Sequence, residues 1–310
     1  MPFLADPEQF IRDLSRVCPT IPPSFEIGGF LDDLGQVHRG IVAEAGPGPV
    51  VAEHDLTELA ALFAGIKDGA IKKLGGSNWL EKLPANDPLR CRVGLFGTFD
   101  LGLHETAHTR ALAWLMDPDG DHGFGASLLR AFLKQVFGLD GEPQLSDVSI
   151  RSELRGDMSR DRFDIYMRGN WTIPPDDRVE TWLVIVEAKI EADEGEDQCA
   201  RYEDHSHGEI VSRDKHALVF LTLDGRPPTT GSKGGGGEWI RLSFIKLMAL
   251  FRQQLGELNG EPGAEFLPLY MTGVLRDLYQ LNCGNITGVD DIYHISEYLS
   301  SAITGGISNG

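Results

Sequence analysis

Three residues, Asp164, Glu187 and Lys189, combine types and positions that could do chemistry. Asp164 interrupts Arg162-Phe163-Asp164-Ile165-Tyr166, a β-rich run in which alternation puts its side chain opposite Phe163 and Ile165. An acid in mid-strand is costly unless it is paired or holds a metal. Glu187 and Lys189 close the most hydrophobic run of the chain, Trp182-Leu183-Val184-Ile185-Val186, and being two residues apart in a strand they point to one side of the sheet. A lone E-x-K triplet reads as a strand-end ion pair. An aspartate from a neighbouring strand turns it into a compact set of hard oxygen ligands with one cation beside it, which suits Mg²⁺ or Mn²⁺ and a phosphate oxygen. The lysine would then orient or help deprotonate an attacking water.

A second arrangement competes for the same chemistry. His104-Glu105-Thr106-Ala107-His108 has the H-E-x-x-H spacing that sets two histidines on one helix face, where they could hold Zn²⁺ with Glu105 as general base of a peptidase. The extended form with further Gly and His fails, because Ala111 and Trp114 occupy those places, so a third ligand would have to be His122 or a downstream acid. For His108 and His122 the plainer reading is a satisfied structural histidine.

The elements that must position these residues follow from periodicity. Short amphipathic patterns at Pro7–Val17 and Leu56–Leu74, broken by Gly46-Pro47-Gly48-Pro49, predict a helical N-terminal region over 1–100. Helices are expected at Leu103–Met116 and Phe124–Phe137, strands at Val148–Leu154, Arg162–Arg168 and Thr181–Ile190, a helix at Glu194–His205, and strands at His216–Leu223 and Glu238–Leu242. The near-continuous apolar run of the third strand predicts a central place in the sheet. Ser243 should cap a helix to Leu255, and Ala264–Leu281 should form another with Pro268 in its first turns. Two stretches read as insertions: Gly169–Glu180, whose Pro174 and Pro175 demand a long connection between the second and third strands, and Gly225–Gly237, whose four glycines lack the Lys-Ser/Thr of a phosphate-binding loop. The expected fold is α/β, a mixed central sheet in the order αβββαβ with helices on both faces, over 101–310.

With that order in place, Asp164 and Glu187-Ala188-Lys189 resemble the motif of the PD-(D/E)XK nuclease superfamily, an acid on the second strand and E-x-K on the third. Gln198-Cys199-Ala200-Arg201-Tyr202 is similar to the Q-x-x-x-Y element of RecB-like members, and its i, i+4 spacing puts Gln198 and Tyr202 on one helix face. The segment Glu105–Arg110 with Leu112–Pro118 and His122–Gly125 is similar to the opening helices of a bacterial branch. Phe163 stands where the family motif has proline. The resemblance implies a restriction-endonuclease-like, Mg²⁺- or Mn²⁺-dependent phosphodiesterase acting on DNA, with RNA as the other nucleic-acid substrate, leaving a 5′-phosphate, in genome defence or DNA processing. It implies metal ligation by Asp164, Glu187, the Ala188 carbonyl and Glu105, positioning of the hydroxide by Lys189, and support of the site by Gln198 and Tyr202. A nuclease fold used only for binding is the remaining alternative.

Composition bounds these readings. With 28 basic against 47 acidic residues the chain carries −19, which argues against a surface that coats polyanions generally. Between Asp176 and Glu209 there are twelve acids and three bases, part of that excess being the proposed ligands themselves. Local bases, Arg151, Arg155, Arg160, Arg162 and Arg168, cluster around the first two strands, and a homodimer or a basic protein partner could supply more. Asp193 and Glu194 read as capping or solvated acids, and Trp79, Trp171 and Trp239 as packing residues. No apolar stretch approaches the roughly 20 residues of a membrane span, and the scattered Cys18, Cys91, Cys199 and Cys283 read as reduced thiols of a cytoplasmic protein.

Overall fold

The computed structural model describes residues 78–155, 162–195, 197–209, 215–231, 239–284, 286 and 290–299. Backbone contacts divide the chain into residues 1–76 with 288–293 and residues 77–287 with 294–310. The expected helices at Pro7–Val17 and Leu56–Leu74 lie outside the described residues, as does the Gly234–Gly237 run.

A five-stranded mixed sheet forms the centre of the second unit. Its strands are β1 (Gln144–Arg155), β2 (Arg162–Ile173), β3 (Asp176–Lys189), β4 (Lys215–Thr222) and β5 (Trp239–Ser243), arranged in space in that order. β1, β2 and β3 are successive antiparallel neighbours, whereas β3, β4 and β5 run parallel. β3 is central as its apolar run predicts, with Trp182 to Val186 buried throughout.

The reading of Gly169–Glu180 as an insertion is overturned. β2 and β3 pair out to Ile173↔Asp176, so the supposed insertion is the far end of a long hairpin whose turn is Pro174-Pro175, joined by a cis peptide bond. Proline is excluded from a ladder because it lacks an N–H, and a two-residue turn is where that loss matters least.

Helices cover both faces. α1 (Glu105–Met116), α2 (Ser127–Phe137) and α4 (Phe244–Arg252) pack together with one face, α1 against β1–β3 and α2 against β4. α3 (Gln198–Glu209) closes the other, where Cys199 and Tyr202 join Phe163, Tyr166, Leu183, Ile185, Leu218, Phe220 and Trp239 in one apolar cluster. Burial of these side chains, each contributing roughly 1.5–3 kcal/mol, fixes α3 over the β3–β4 crossover. The three tryptophans read as packing residues are buried, Trp171 stacking on Trp182.

Two helix boundaries differ from expectation for local reasons. α2 starts at Ser127 instead of Phe124 because Gly123 and Gly125 both take positive φ, which an α-helix cannot accommodate. The expected helix at Ala264–Leu281 is α5 (Phe266–Gly273) followed by a π-helical turn at Val274–Leu278. Ser243 caps α4 as predicted, its hydroxyl accepting from the Lys246 N–H. α6 (Asp290–Leu299) ends the described chain.

Candidate active site

The site forms where the β2–β3 ladder ends. The last paired residues are Ile165↔Val186, and one step further Asp164 Oδ2 accepts from the Ala188 N–H at 2.8 Å instead of leaving that bond to backbone. Glu187 is fully buried there, with Lys189 Nζ 2.5 Å from its Oε1. Glu105, first residue of α1, braces the end of β3: its Oε2 accepts from the Ile190 N–H at 3.1 Å and its Oε1 lies 3.6 Å from Lys189 Nζ. From α3, Gln198 Nε2 donates to Glu187 Oε1 at 2.6 Å and to the Tyr202 hydroxyl at 3.1 Å. The Tyr202 hydroxyl donates in turn to the Arg162 carbonyl at 2.7 Å, closing a chain of hydrogen bonds back to β2. All six side chains named from the sequence are thus brought to one end of the sheet, Tyr202 at its margin.

Electrostatics set this cluster apart. Burial pushes the Asp164 carboxyl up to about 6, against the pull of the Ala188 N–H and the Lys189 charge. Burial, then the negative charge of Asp164, raises Glu187 well above the carboxylate range, with Lys189 opposing. Lys189 is itself raised: burial disfavours its charge, and Glu187, followed by Glu105 and Asp164, outweighs that penalty. One ammonium therefore faces three acids. Glu187 Oε2 is buried without a hydrogen-bond partner among the described residues, beside the Asp164 carboxyl.

Among the described residues no group of three or more His, Cys, Asp or Glu stands together as a ready metal centre. Asp164 and Glu187 set two carboxylates side by side, a pair that fits Mg²⁺, which takes one or two protein carboxylates and leaves its other positions to water and substrate phosphate. The orphaned Glu187 Oε2 supplies the vacant acceptor such an ion needs.

The H-E-x-x-H reading is overturned. His104 is an exposed residue preceding α1, whereas His108 is fully buried, its Nε2 bonded to the Gly102 carbonyl at 2.8 Å and its ring set edge-on to Phe96 and Phe244. Burial lowers His108 to about 4. His122 has both ring nitrogens engaged, Nε2 against the Trp114 carbonyl and Nδ1 accepting from the Phe124 N–H, whereas the buried Nδ1 of His108 has no hydrogen-bond partner among the described residues. Both are structural histidines, and the two histidines of the motif share no ion.

Sequence reasoning missed Glu194. Read as a capping or solvated acid, its side chain is only 2% exposed and accepts from the Thr229 N–H, the Thr230 N–H and hydroxyl, and Arg226. Those donors overcome burial and hold it down at about 2. Thr230 in turn receives the N–H groups of Cys199 and Ala200 at the start of α3, so Glu194 fixes the helix end that carries Gln198. The donors lie more than thirty residues downstream, and the signal that could have found them is the Arg226…Thr229-Thr230 spacing after β4.

Of the arginines near the first strands, Arg151 and Arg168 are exposed and Arg162 is paired with Glu153; Arg160 and the Arg155 side chain lie outside the described residues. No helix among the described residues is long and apolar enough to cross a membrane.

Comparison with known proteins gives one family. A model described as the PD-(D/E)XK nuclease superfamily matches residues 95–270, from the segment before α1 to within α5. No curated protein and no solved structure matches the chain.

Proposed function

The chain belongs to the PD-(D/E)XK nuclease superfamily, and from that premise we propose that it is a Mg²⁺- or Mn²⁺-dependent nuclease hydrolysing phosphodiester bonds of DNA. The observation that carries this reading is Glu187: a fully buried carboxylate with one unpartnered oxygen, next to Asp164 and within 2.5 Å of Lys189.

Asp164 and Glu187 would hold the ion. The Ala188 carbonyl is a further donor, because an extended residue sends its N–H and C=O to the same neighbouring strand and the Ala188 N–H is taken by Asp164. Glu105, tied to Ile190 and close to Lys189, adjusts the set from the α1 side. When bound, a divalent ion supplies Lewis-acid polarisation of the phosphodiester and lowers the pKa of water. Lys189 carries a permanent positive charge and sits where it can orient the attacking water and offset charge developing on the phosphoryl oxygens. Gln198 holds Glu187 Oε1, leaving Oε2 for the ion, and Tyr202 fixes Gln198. Water adds to phosphorus as the bond to the 3′-oxygen breaks, leaving a 5′-phosphate. Genome defence or processing of foreign DNA in a bacterium is the role that fits such an activity.

The test is nicking of supercoiled DNA by the purified protein with Mg²⁺, Mn²⁺ or EDTA. Cleavage in Mg²⁺ or Mn²⁺ but not EDTA is expected, with Asp164→Ala and Lys189→Ala each reducing it at least about a hundredfold while remaining folded. An inert wild-type protein, or variants that cut equally well, would overturn the reading.

A further inference from the structure

Beside the acids lies a second charged group that none of the steps above uses. Arg110 of α1 and Arg162 of β2 both form ion pairs with Glu153 of β1, one with each carboxylate oxygen. The two guanidinium side chains are 62% and 57% exposed, whereas Glu153 is 15% exposed, so a largely covered carboxylate is gripped between two cations that reach solvent. One negative charge between two positive ones leaves the group net cationic, in a chain that is acidic overall.

Position ties this group to the site. Arg162 is two residues before Asp164, about 7 Å along an extended strand, and its carbonyl is held by Tyr202. Arg110 belongs to the helix that begins with Glu105. The register Ser152↔Ile165 and Leu154↔Phe163 sets Glu153 across from Asp164. Glu153 takes φ 54°, a left-handed conformation uncommon for a strand residue other than glycine or asparagine.

We infer that Arg110 and Arg162 form a clamp for a backbone phosphate next to the cleaved bond, with Glu153 occupying the clamp until substrate displaces it. A carboxylate and a backbone phosphodiester each offer guanidinium one negative charge shared over two paired oxygen acceptors, so the one can take the other's place. Exchange of partners lets the arginines engage the substrate without ever standing unpaired, and it gives an acidic protein local cations at the place where a phosphodiester must approach two carboxylates. The inference rests on the nuclease reading and names the residues that would grip its substrate.

The experiment is binding of a fluorescein-labelled DNA duplex to the full chain by anisotropy, with Ca²⁺ replacing Mg²⁺ and across a salt series, alongside cleavage in Mg²⁺. Arg110→Ala/Arg162→Ala is expected to raise Kd roughly tenfold and to flatten the dependence of log K on log salt by about 2, one unit for each arginine removed from the DNA backbone. Glu153→Gln is expected to lower Kd several-fold, because the competing charge is gone, an effect that a merely structural ion pair would not produce. A double variant with wild-type Kd and salt slope, while the wild-type protein cuts DNA, overturns the clamp and leaves the nuclease reading standing. A wild-type protein that neither binds nor cuts overturns both. If the double variant fails to melt cooperatively, Glu153→Gln decides alone: tighter binding supports the clamp, and unchanged or weaker binding overturns it.

Discussion

Glu187 and Glu194 lie seven residues apart, and their side chains are 1% and 2% exposed, yet they are opposite kinds of carboxylate. Glu194 has donors on both oxygens and is held at about 2. Glu187 has Gln198 and Lys189 on one oxygen and nothing among the described residues on the other, faces a second acid, and is pushed well above the carboxylate range. Both side chains are closed to solvent, but Glu187 is set far deeper and its burial is the main cause of its rise, whereas Glu194 has donors enough to overcome the smaller penalty it carries. The satisfied acid organises a loop and a helix end. The unsatisfied one belongs to the cluster on which the proposed nuclease chemistry rests.

Stability should separate the two most sharply. Glu194→Gln discards an ion pair and leaves buried N–H donors facing an amide, and chemical denaturation of the metal-free protein should show a loss of about 2–4 kcal/mol. Glu187→Gln replaces a carboxyl that burial and Asp164 already drive toward its neutral form, and in the same measurement should cost no more than about 1 kcal/mol. Equal losses at the two positions would break the comparison.

A smaller effect, opposite in sign at the two sites, is expected from pH. Asp164, raised to about 6 in the folded protein, keeps its proton where the unfolded chain has already lost it, so stability from this site falls as pH rises from the ordinary carboxylate range through about 6. Glu194 behaves conversely: its stabilisation is complete above the ordinary carboxylate range and is lost as pH falls toward about 2. Melting temperatures of the metal-free protein across pH should show Asp164→Asn flattening the upper arm and Glu194→Gln the lower arm, with Mg²⁺ removing the upper fall in wild type. An upper arm insensitive to both Asp164→Asn and Mg²⁺ would contradict the electrostatic account.

How far the sequence reached follows the range of the interactions involved. The central strand was legible because Trp182–Val186 is apolar without interruption, and the site because E-x-K and Q-x-x-x-Y each place their members within a single element. The hairpin was misread at Pro174-Pro175, since two prolines break a strand and make a turn with the same signal. The histidine pair left an alternative open for a related reason. Spacing tells which side chains share a helix face but not which face meets the core, and His108 faces Phe96, Phe244 and Tyr270. Glu194 and Glu153 were out of reach because their partners come from other elements, and only the fold brings Thr230 to one and Arg110 to the other.

The central claim is that Asp164 and Glu187 wait for a divalent ion, and calorimetric titration of the full chain with Mn²⁺ at neutral pH tests it most directly. The account predicts saturable binding with proton release, because two raised carboxyls must ionise to take the ion, and loss of that binding in Asp164→Asn while Glu194→Gln retains it. Absence of binding in the wild-type protein, or binding that survives Asp164→Asn unchanged, would contradict it.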